Sequence, residues 1–498
     1  MKRITTGIPG LDQVLDGGLD KGSVVVMAGP PGVGKTTMAQ QMSFANGTQE
    51  HKSVYYTTIA EPHTKLVRHL EPFAFFDPAA LGARVEFIHL GRYLRPARMD
   101  GLQPLVSEIV RKVLDEEPAL VALDSTKMLR DFADERELRI ALFDLAGPLA
   151  QTDTVLLLLG EYTIEELSND VEFSLADGII QLGYQAREPV DRRWLRVVKM
   201  RGSSPRPGMH TFQIDSSGCE VFPRIETLTQ GQVGPATTRA SGGIPGPRIN
   251  SGIPGLDGLM SGGPKKADAT LIMGPSGVGK TIFALHWIGQ GLKDGKRCLY
   301  VSFQDTGDQL INMGAAFGWD LAAAVASGQL VILHVPMGNL DLDMLASGIR
   351  AELARHHDGR IVIDSLAELI TANREVERFP AYQRSLIGLI RTAGDSLLIT
   401  NESLEQGGDA SSGLNVLMFL FDNVVNLRYI EEEGPDIGRA IGVIKMRNSD
   451  HARTLNRVTI DESGMAVGNV IVGASGRLGW SVLKSEGPSH EASYVHQS

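Results

Sequence analysis

The chain has 498 residues, room for two to four domains at about 150 residues each, with 42% hydrophobic and 21% charged residues. That composition, with 56 glycines and 24 prolines in no fixed period, excludes collagen-like, wholly disordered and disulfide-stapled small folds. A net charge of −11 argues against generic attraction to nucleic acid, two cysteines (Cys219 and Cys298) fit a reducing compartment, and no apolar run nears the roughly 18 residues that span a bilayer; a cytoplasmic protein without a membrane partner is expected.

In chain order, the first signal is the turn-rich stretch Thr6-Gly7-Ile8-Pro9-Gly10-Leu11-Asp12. Strands are then predicted over 23–28, 53–59, 85–89, 120–123, 154–159, 178–182 and 195–200, from short aliphatic or β-branched runs. Between the third and fourth, Leu105, Val106, Ile109, Val110, Val113 and Leu114 recur at helical spacing and are expected to face the core. The opening stretch then returns as Ser251-Gly252-Ile253-Pro254-Gly255-Leu256-Asp257, at an offset of 245. A second set of strands follows over 270–273, 298–303, 330–334, 360–363, 396–400, 423–429 and 441–446, with Leu345, Ile349 and Leu353 as a helical stripe. A period this long is a duplicated domain rather than a solenoid repeat. Strands alternating with helices predict an α/β fold: two tandem domains, each a mostly parallel central sheet covered by helices on both faces, with an antiparallel edge formed by the last strands. The expected boundaries are a first domain over 1–224, a flexible linker over 225–248, a second domain over 249–484 and a disordered tail over 485–498.

Gly29-Pro30-Pro31-Gly32-Val33-Gly34-Lys35-Thr36 and Gly274-Pro275-Ser276-Gly277-Val278-Gly279-Lys280-Thr281 both fit the P-loop pattern, each after a predicted strand and before a predicted helix. A lone match could be a Gly-rich turn; two in register are phosphate cradles. Glycines let successive N–H groups point at phosphate oxygens, the lysine reaches the terminal phosphates, and the threonine hydroxyl ligates Mg2+. The nucleotide-binding set is therefore Gly29, Gly32, Val33, Gly34, Lys35, Thr36 and Thr37 in one copy, and Gly274, Gly277, Val278, Gly279, Lys280, Thr281 and Ile282 in the other. Asp124 and Asp364 end buried strands, where each would hold Mg2+ with Thr36 or Thr281, or else cap a following helix. Glu161 and Glu402, at the next strand ends, are either ligands at the sheet edge or solvated loop acids. His286, His356 and His357 lack metal-site spacing.

The opening hexapeptide, the P-loop, the Asp-Ser strand end and the repeated Lys199-Met200-Arg201 and Lys445-Met446-Arg447 together resemble the KaiC family of RecA-type P-loop ATPases in its tandem form, over nearly the whole chain. The resemblance implies two RecA-like ATPase domains binding ATP and Mg2+, assembled as a homohexameric double ring with ATP at subunit interfaces. Lys199, Arg201, Lys445 and Arg447 would then contact a neighbour's nucleotide; cations guarding an exposed edge strand are the other reading. The function implied is slow ATP hydrolysis in signalling or circadian-type timing, with a signalling or two-component partner. The family usually presents two adjacent glutamates after its second strand, whereas here the copies read Ile59-Ala60-Glu61-Pro62 and Phe303-Gln304-Asp305-Thr306, leaving Glu61 and Asp305 as candidate bases. The resemblance would also add serine/threonine autokinase activity, but Met418 and Phe419 occupy the acceptor positions, and Ser403, Ser411 and Ser412 are the nearby substitutes. A DNA-dependent ATPase of the RecA or RadA kind and a non-catalytic ATP-gated scaffold are the alternatives.

Overall fold

The computed structural model describes residues 2–57, 63–91, 93, 101–162, 171–185, 191–229, 247–355, 358–372, 377–402, 418–431 and 436–471. The chain divides into two compact units, Met1–Gln232 and Val233–Ser498, and each contains its own nine-stranded sheet.

In the first unit a short ladder of β1 (Arg3–Ile4) and β2 (Leu19–Asp20) precedes β3 (Val24–Ala28), β4 (Ser53–Thr57), β5 (Val85–His89), β6 (Leu120–Asp124), β7 (Val155–Gly160), β8 (Gly178–Gln185), β9 (Arg192–Met200), β10 (His210–Asp215) and β11 (Gly218–Phe222). Their spatial order is β5-β4-β6-β7-β3-β8-β9-β10-β11, parallel from β5 through β8 and antiparallel beyond. The second unit repeats this with β12 (Ala269–Gly274), β13 (Cys298–Ser302), β14 (Leu330–His334), β15 (Arg360–Asp364), β16 (Ser396–Glu402), β17 (Asn423–Glu431), β18 (Ile437–Met446), β19 (Asn456–Asp461) and β20 (Gly464–Val470). Its order is β14-β13-β15-β16-β12-β17-β18-β19-β20, the same topology. These are two tandem RecA-like α/β domains with mostly parallel sheets, as the alternation of strands and helices predicts.

The residues explain the layers. β3 reads Val-Val-Val-Met-Ala and is buried throughout; Val24, Val26 and Ala28 enter one core, Val25 and Met27 the other. A continuous apolar run is what a strand covered on both faces requires. On one face pack the helices Gln103–Glu116 and Glu135–Leu149, through Leu105, Ile109, Val113, Leu138 and Leu142. On the other lies the helix Lys35–Asn46, through Met38, Ala39 and Met42. Each such side chain contributes roughly 1.5–3 kcal/mol when buried, so these stripes rather than helix propensity hold the layers together. Leu345, Ile349 and Leu353 are buried as expected. Leu114 is not: it is 50% exposed, because it lies in the last turn of its helix, about 100° round from Val113.

Two hairpins lie beyond the predicted strands. β10–β11 and β19–β20 turn through Asp215-Ser216-Ser217-Gly218 and Asp461-Glu462-Ser463-Gly464. In each, the aspartate accepts a hydrogen bond from the serine N–H, at 2.7 Å in the first and 2.8 Å in the second, and the glycine takes the left-handed conformation with φ of 113° and 101°. Residues Ile225–Thr229, at the start of the expected linker, form a short helix with Ile225 buried. The remainder of that stretch up to 246, and the tail over 485–498, lie outside the described residues.

The repeated hexapeptide also has a structural place. Pro9 O accepts from Val221 N on β11 at 2.9 Å, and Pro254 O from Val467 N on β20 at 2.8 Å. Gly10 and Gly255 have φ of 78° and 81°, and a Cβ there would fall 1.8 Å from Val221 O or 2.4 Å from Val467 O. Asp12 accepts from Thr6 N at 2.8 Å and Asp257 from Ser251 N at 3.1 Å, closing the turn.

Candidate functional site

Each unit forms a cleft where the parallel strands end. In the first, the loop after β3 leads into the helix Lys35–Asn46, whose N-cap Gly34 has φ of 115°, a backbone suited to glycine. A Cβ on Gly34 would also lie 2.3 Å from the Ile214 side chain of the hairpin, and one on Gly279 2.7 Å from Ile460. The hairpins therefore press on both loops at the residue before the lysine. Val33 and Val278 are wholly buried, so only their backbones face the clefts.

Lys35 Nζ donates to Gly29 O at 2.8 Å and Pro30 O at 2.9 Å, leaving one of three ammonium protons for an anion. Burial lowers its pKa, against the opposing pull of Glu161 and Asp124. Thr36 Oγ1 donates to Asp124 Oδ2 at 2.7 Å, and so does the buried Tyr55 hydroxyl, also at 2.7 Å. Tyr55 titrates well above an ordinary tyrosine because of burial and the adjacent Asp124, so it remains a donor. Asp124 thus receives two side-chain hydroxyls on Oδ2, and the helical turn Thr126–Asp131 has no side-chain cap. Thr37, Lys127, Met128, Asp131 and Glu161 complete the walls. Glu61 lies outside the described residues.

The second cleft repeats these contacts. Lys280 Nζ donates to Gly274 O at 2.9 Å and Pro275 O at 2.8 Å, Thr281 Oγ1 to Asp364 Oδ2 at 3.0 Å, and the Tyr300 hydroxyl to the same oxygen at 2.8 Å. Thr400 Oγ1 adds a bond to Asp364 Oδ1. Burial lowers the Lys280 pKa against Glu402, Asp364 and Glu368. Asp305 and Glu402 line this cleft with Gly277, Gly279, Ile282 and Gln304. Burial first, then Asp364, raises the Asp305 carboxyl pKa. The peptide after the aspartate is cis in both units, Asp124-Ser125 and Asp364-Ser365.

A hydroxyl and a carboxylate meeting below 3.1 Å at the mouth of a glycine-lined loop suit a hard cation carried by phosphate oxygens. Thr36 with Asp124, and Thr281 with Asp364, therefore fit Mg2+ bound with a nucleoside triphosphate.

The Lys-x-Arg pairs lie elsewhere. β9 runs antiparallel to β8, with Lys199 opposite Ile179 and Met200 opposite Gly178, at the amino-terminal end of the parallel strands. Lys199 Nζ donates to Phe173 O at 3.3 Å, and Arg201 pairs with Asp177 at 3.2 Å. Likewise Lys445 Nζ donates to Phe421 O at 2.8 Å and Met418 O at 3.1 Å, and Arg447 to Phe419 O at 2.9 Å. These cations sit at the sheet edge opposite their own unit's P-loop. Ser403, Ser411, Ser412, His356 and His357 lie outside the described residues. His286 is structural: its Nδ1 meets Gly252 O at 2.9 Å and its Nε2 accepts from Met465 N at 2.7 Å.

Sequence reasoning missed Tyr55 and Tyr300, whose signal was a tyrosine inside each second strand, and Glu368. Glu368, in the helix Leu366–Ala372, is 7% exposed and lines the second cleft. Its Oε1 accepts from Gln304 Nε2 at 2.5 Å, and its Oε2 from Ser365 N at 3.2 Å and from Ser365 Oγ.

The chain matches the family model described as the KaiC ATPase over residues 4–226 and again over 249–470. It is 25% identical over 492 residues to the circadian clock protein KaiC3 of Synechocystis sp., covering 96% of this chain and 94% of that protein. It is also 25% identical over 471 residues to the circadian clock oscillator protein KaiC of Parathermosynechococcus lividus, covering 93% and 84%. The KaiC of Picosynechococcus sp. is 25% identical over 484 residues, covering 94% and 90%. With both units matched and each carrying the same lysine, threonine and aspartate around its loop, the chain belongs to the KaiC family of ATPases.

Proposed function

We propose that this protein binds Mg2+-ATP in both units, hydrolyses it slowly, and assembles head to tail into a ring that serves signalling or timing. The observation that carries the reading is the opposed placement of two halves of one site: a Lys, Thr and Asp cradle at one end of each sheet, and a Lys-x-Arg pair at the other. Cations so placed lie away from the cradle of their own unit, and the cradle they are proposed to serve is that of another copy of the chain. A head-to-tail contact of this kind gives a ring when its rotation closes, and not a two-fold dimer. A homohexameric double ring with ATP at the interfaces is the assembly proposed, and Lys199, Arg201, Lys445 and Arg447 are the contacts from the neighbour, where their positive charge would offset the negative charge developing on the phosphates. Asp305, Glu161 and Glu402 are cleft carboxylates proposed to serve the reaction. The timing role is supported by relatives named as circadian clock proteins.

Hydrolysis is expected below about 1 per second, because the loops hold substrate whether or not water is well positioned. Mass measurement of the complex with and without Mg2+-ATP tests assembly; a monomer under both conditions would refute the ring. Met418 and Phe419 have no hydroxyl to accept a phosphoryl group, so Ser403, Ser411 and Ser412 upstream are the substitute acceptors for any autokinase activity. Phosphopeptide mapping after incubation with ATP tests that part. Ala60 and Gln304, neither of them able to act as a base, favour a second reading: a scaffold in which ATP gates assembly without turnover and a signalling partner reads the ring. Assembly with no phosphate release would select it.

A further inference from the structure

Glu368 is a carboxylate in the wall of the second cleft that the contacts described so far leave without a task. It is 7% exposed, and its oxygens are held by neutral donors, Gln304 Nε2 and the backbone and hydroxyl of Ser365. Among the described residues no cation pairs with it. Burying a carboxylate is costly, and neutral donors orient it without cancelling its charge. The fold does not require it: counting from the strand-end aspartate, the first unit has Met128 at this position, on the same turn after the same cis Asp-Ser peptide. The charge is directed at the site, since Glu368 acts with Asp364 and Glu402 on the Lys280 ammonium. A carboxylate offers about four acceptor positions and three donors are in place here, so one remains for a water in the cleft.

We propose that Glu368, held by Gln304 and Ser365, is the acid–base carboxylate of the second site. The inference rests on the reading of this protein as an ATP hydrolase. In the step assigned to it, Glu368 orients a water and accepts one of its protons as the water oxygen bonds to the γ-phosphorus. The bond from that phosphorus to the β–γ bridging oxygen breaks, ADP leaves with the electron pair, and the proton then passes from Glu368 to solvent. Gln304 is a positioning residue, fixing the carboxylate from the end of β13. Proton transfer of this kind contributes about 10²–10⁴-fold to rate.

The test uses the full chain with the first site silenced by Lys35→Ala, with two readouts: phosphate release, and the affinity of a fluorescent ATP analogue in Mg2+. Glu368→Gln is expected to lower phosphate release at least tenfold and to leave the analogue's Kd within about threefold, taking the low side of the acid–base range. The double variant Gln304→Glu, Glu368→Gln, which moves the carboxylate across the same hydrogen bond, is expected to recover part of the lost rate. Phosphate release within twofold of the Lys35→Ala parent would overturn the proposal, as would a fall matched by an equal loss of binding. If the parent itself binds the analogue and releases no phosphate, the hydrolase reading fails along with this one; turnover in the parent that survives Glu368→Gln removes this one alone.

Discussion

The two clefts share one framework and differ at one end of it. In both, the lysine bridges two loop carbonyls, the threonine and a buried tyrosine converge on the strand-end aspartate, and a hairpin side chain presses on the last loop glycine. Around that framework the first unit has Lys127 and Met128 where the second has Ala367 and Glu368. By sheet register, Leu159 in the first unit stands where Thr400 braces Asp364 in the second. What the copies retain in common is the set assigned to phosphate and cation; of what separates them, Thr400 braces Asp364 and Glu368 is the carboxylate proposed to act on water. On that proposal grip and turnover are built from different residues, and one can change without the other.

The largest effect is expected from Lys35→Ala with Lys280→Ala: calorimetry should find Mg2+-ATP affinity reduced at least about 100-fold, and phosphate release should fall to background, because a charge-assisted contact is lost from each loop. If either loop still binds, the shared framework is not what grips the nucleotide. Next come Gly34→Ala and Gly279→Ala, which force a left-handed backbone and a clash with the hairpin. Thermal unfolding should show each destabilised by about 1–3 kcal/mol, with the first larger because Ile214 stands 2.3 Å from the added carbon and Ile460 2.7 Å.

Thr400→Val makes the brace of Asp364 resemble the first unit. A hydrogen bond to a charged group is worth about 1.5–3 kcal/mol, part of which reaches the cation, so the Mg2+ requirement of the second site should rise several-fold while that of the first stays fixed. The smallest effect concerns Asp305. Its pKa is raised in the folded protein above the ordinary 3.8, so its ionisation opposes folding. The penalty is absent below that ordinary value and grows as pH rises through the native one. Asp305→Asn should therefore raise the melting temperature slightly at pH 7, with a gain that shrinks on acidification; a gain independent of pH would place its cause elsewhere.

The strands, the duplication and both phosphate loops were legible because each is local: apolar runs bounded by turns, and glycines spaced within eight residues. Cleft contacts between distant residues were not. Tyr55 meets Asp124 across 69 residues and Tyr300 meets Asp364 across 64, and a tyrosine in an apolar strand reads only as core. Nothing in the sequence singled out Glu368, since its partner Gln304 is 64 positions away. The hairpins did carry a signal, the repeated Asp-x-Ser-Gly turn between alternating residues. Leu114 was misplaced because apolar character alone does not locate the margin of a helical stripe.

The bond from Val221 to Pro9, matched by that from Val467 to Pro254, brings the opening turn of each unit against its last described strand. A module whose termini already adjoin tolerates having them joined by a short peptide and new ends opened at an exposed turn. Either half of this protein is thereby a candidate for circular permutation, provided residues 6–12 or 251–257 travel with it.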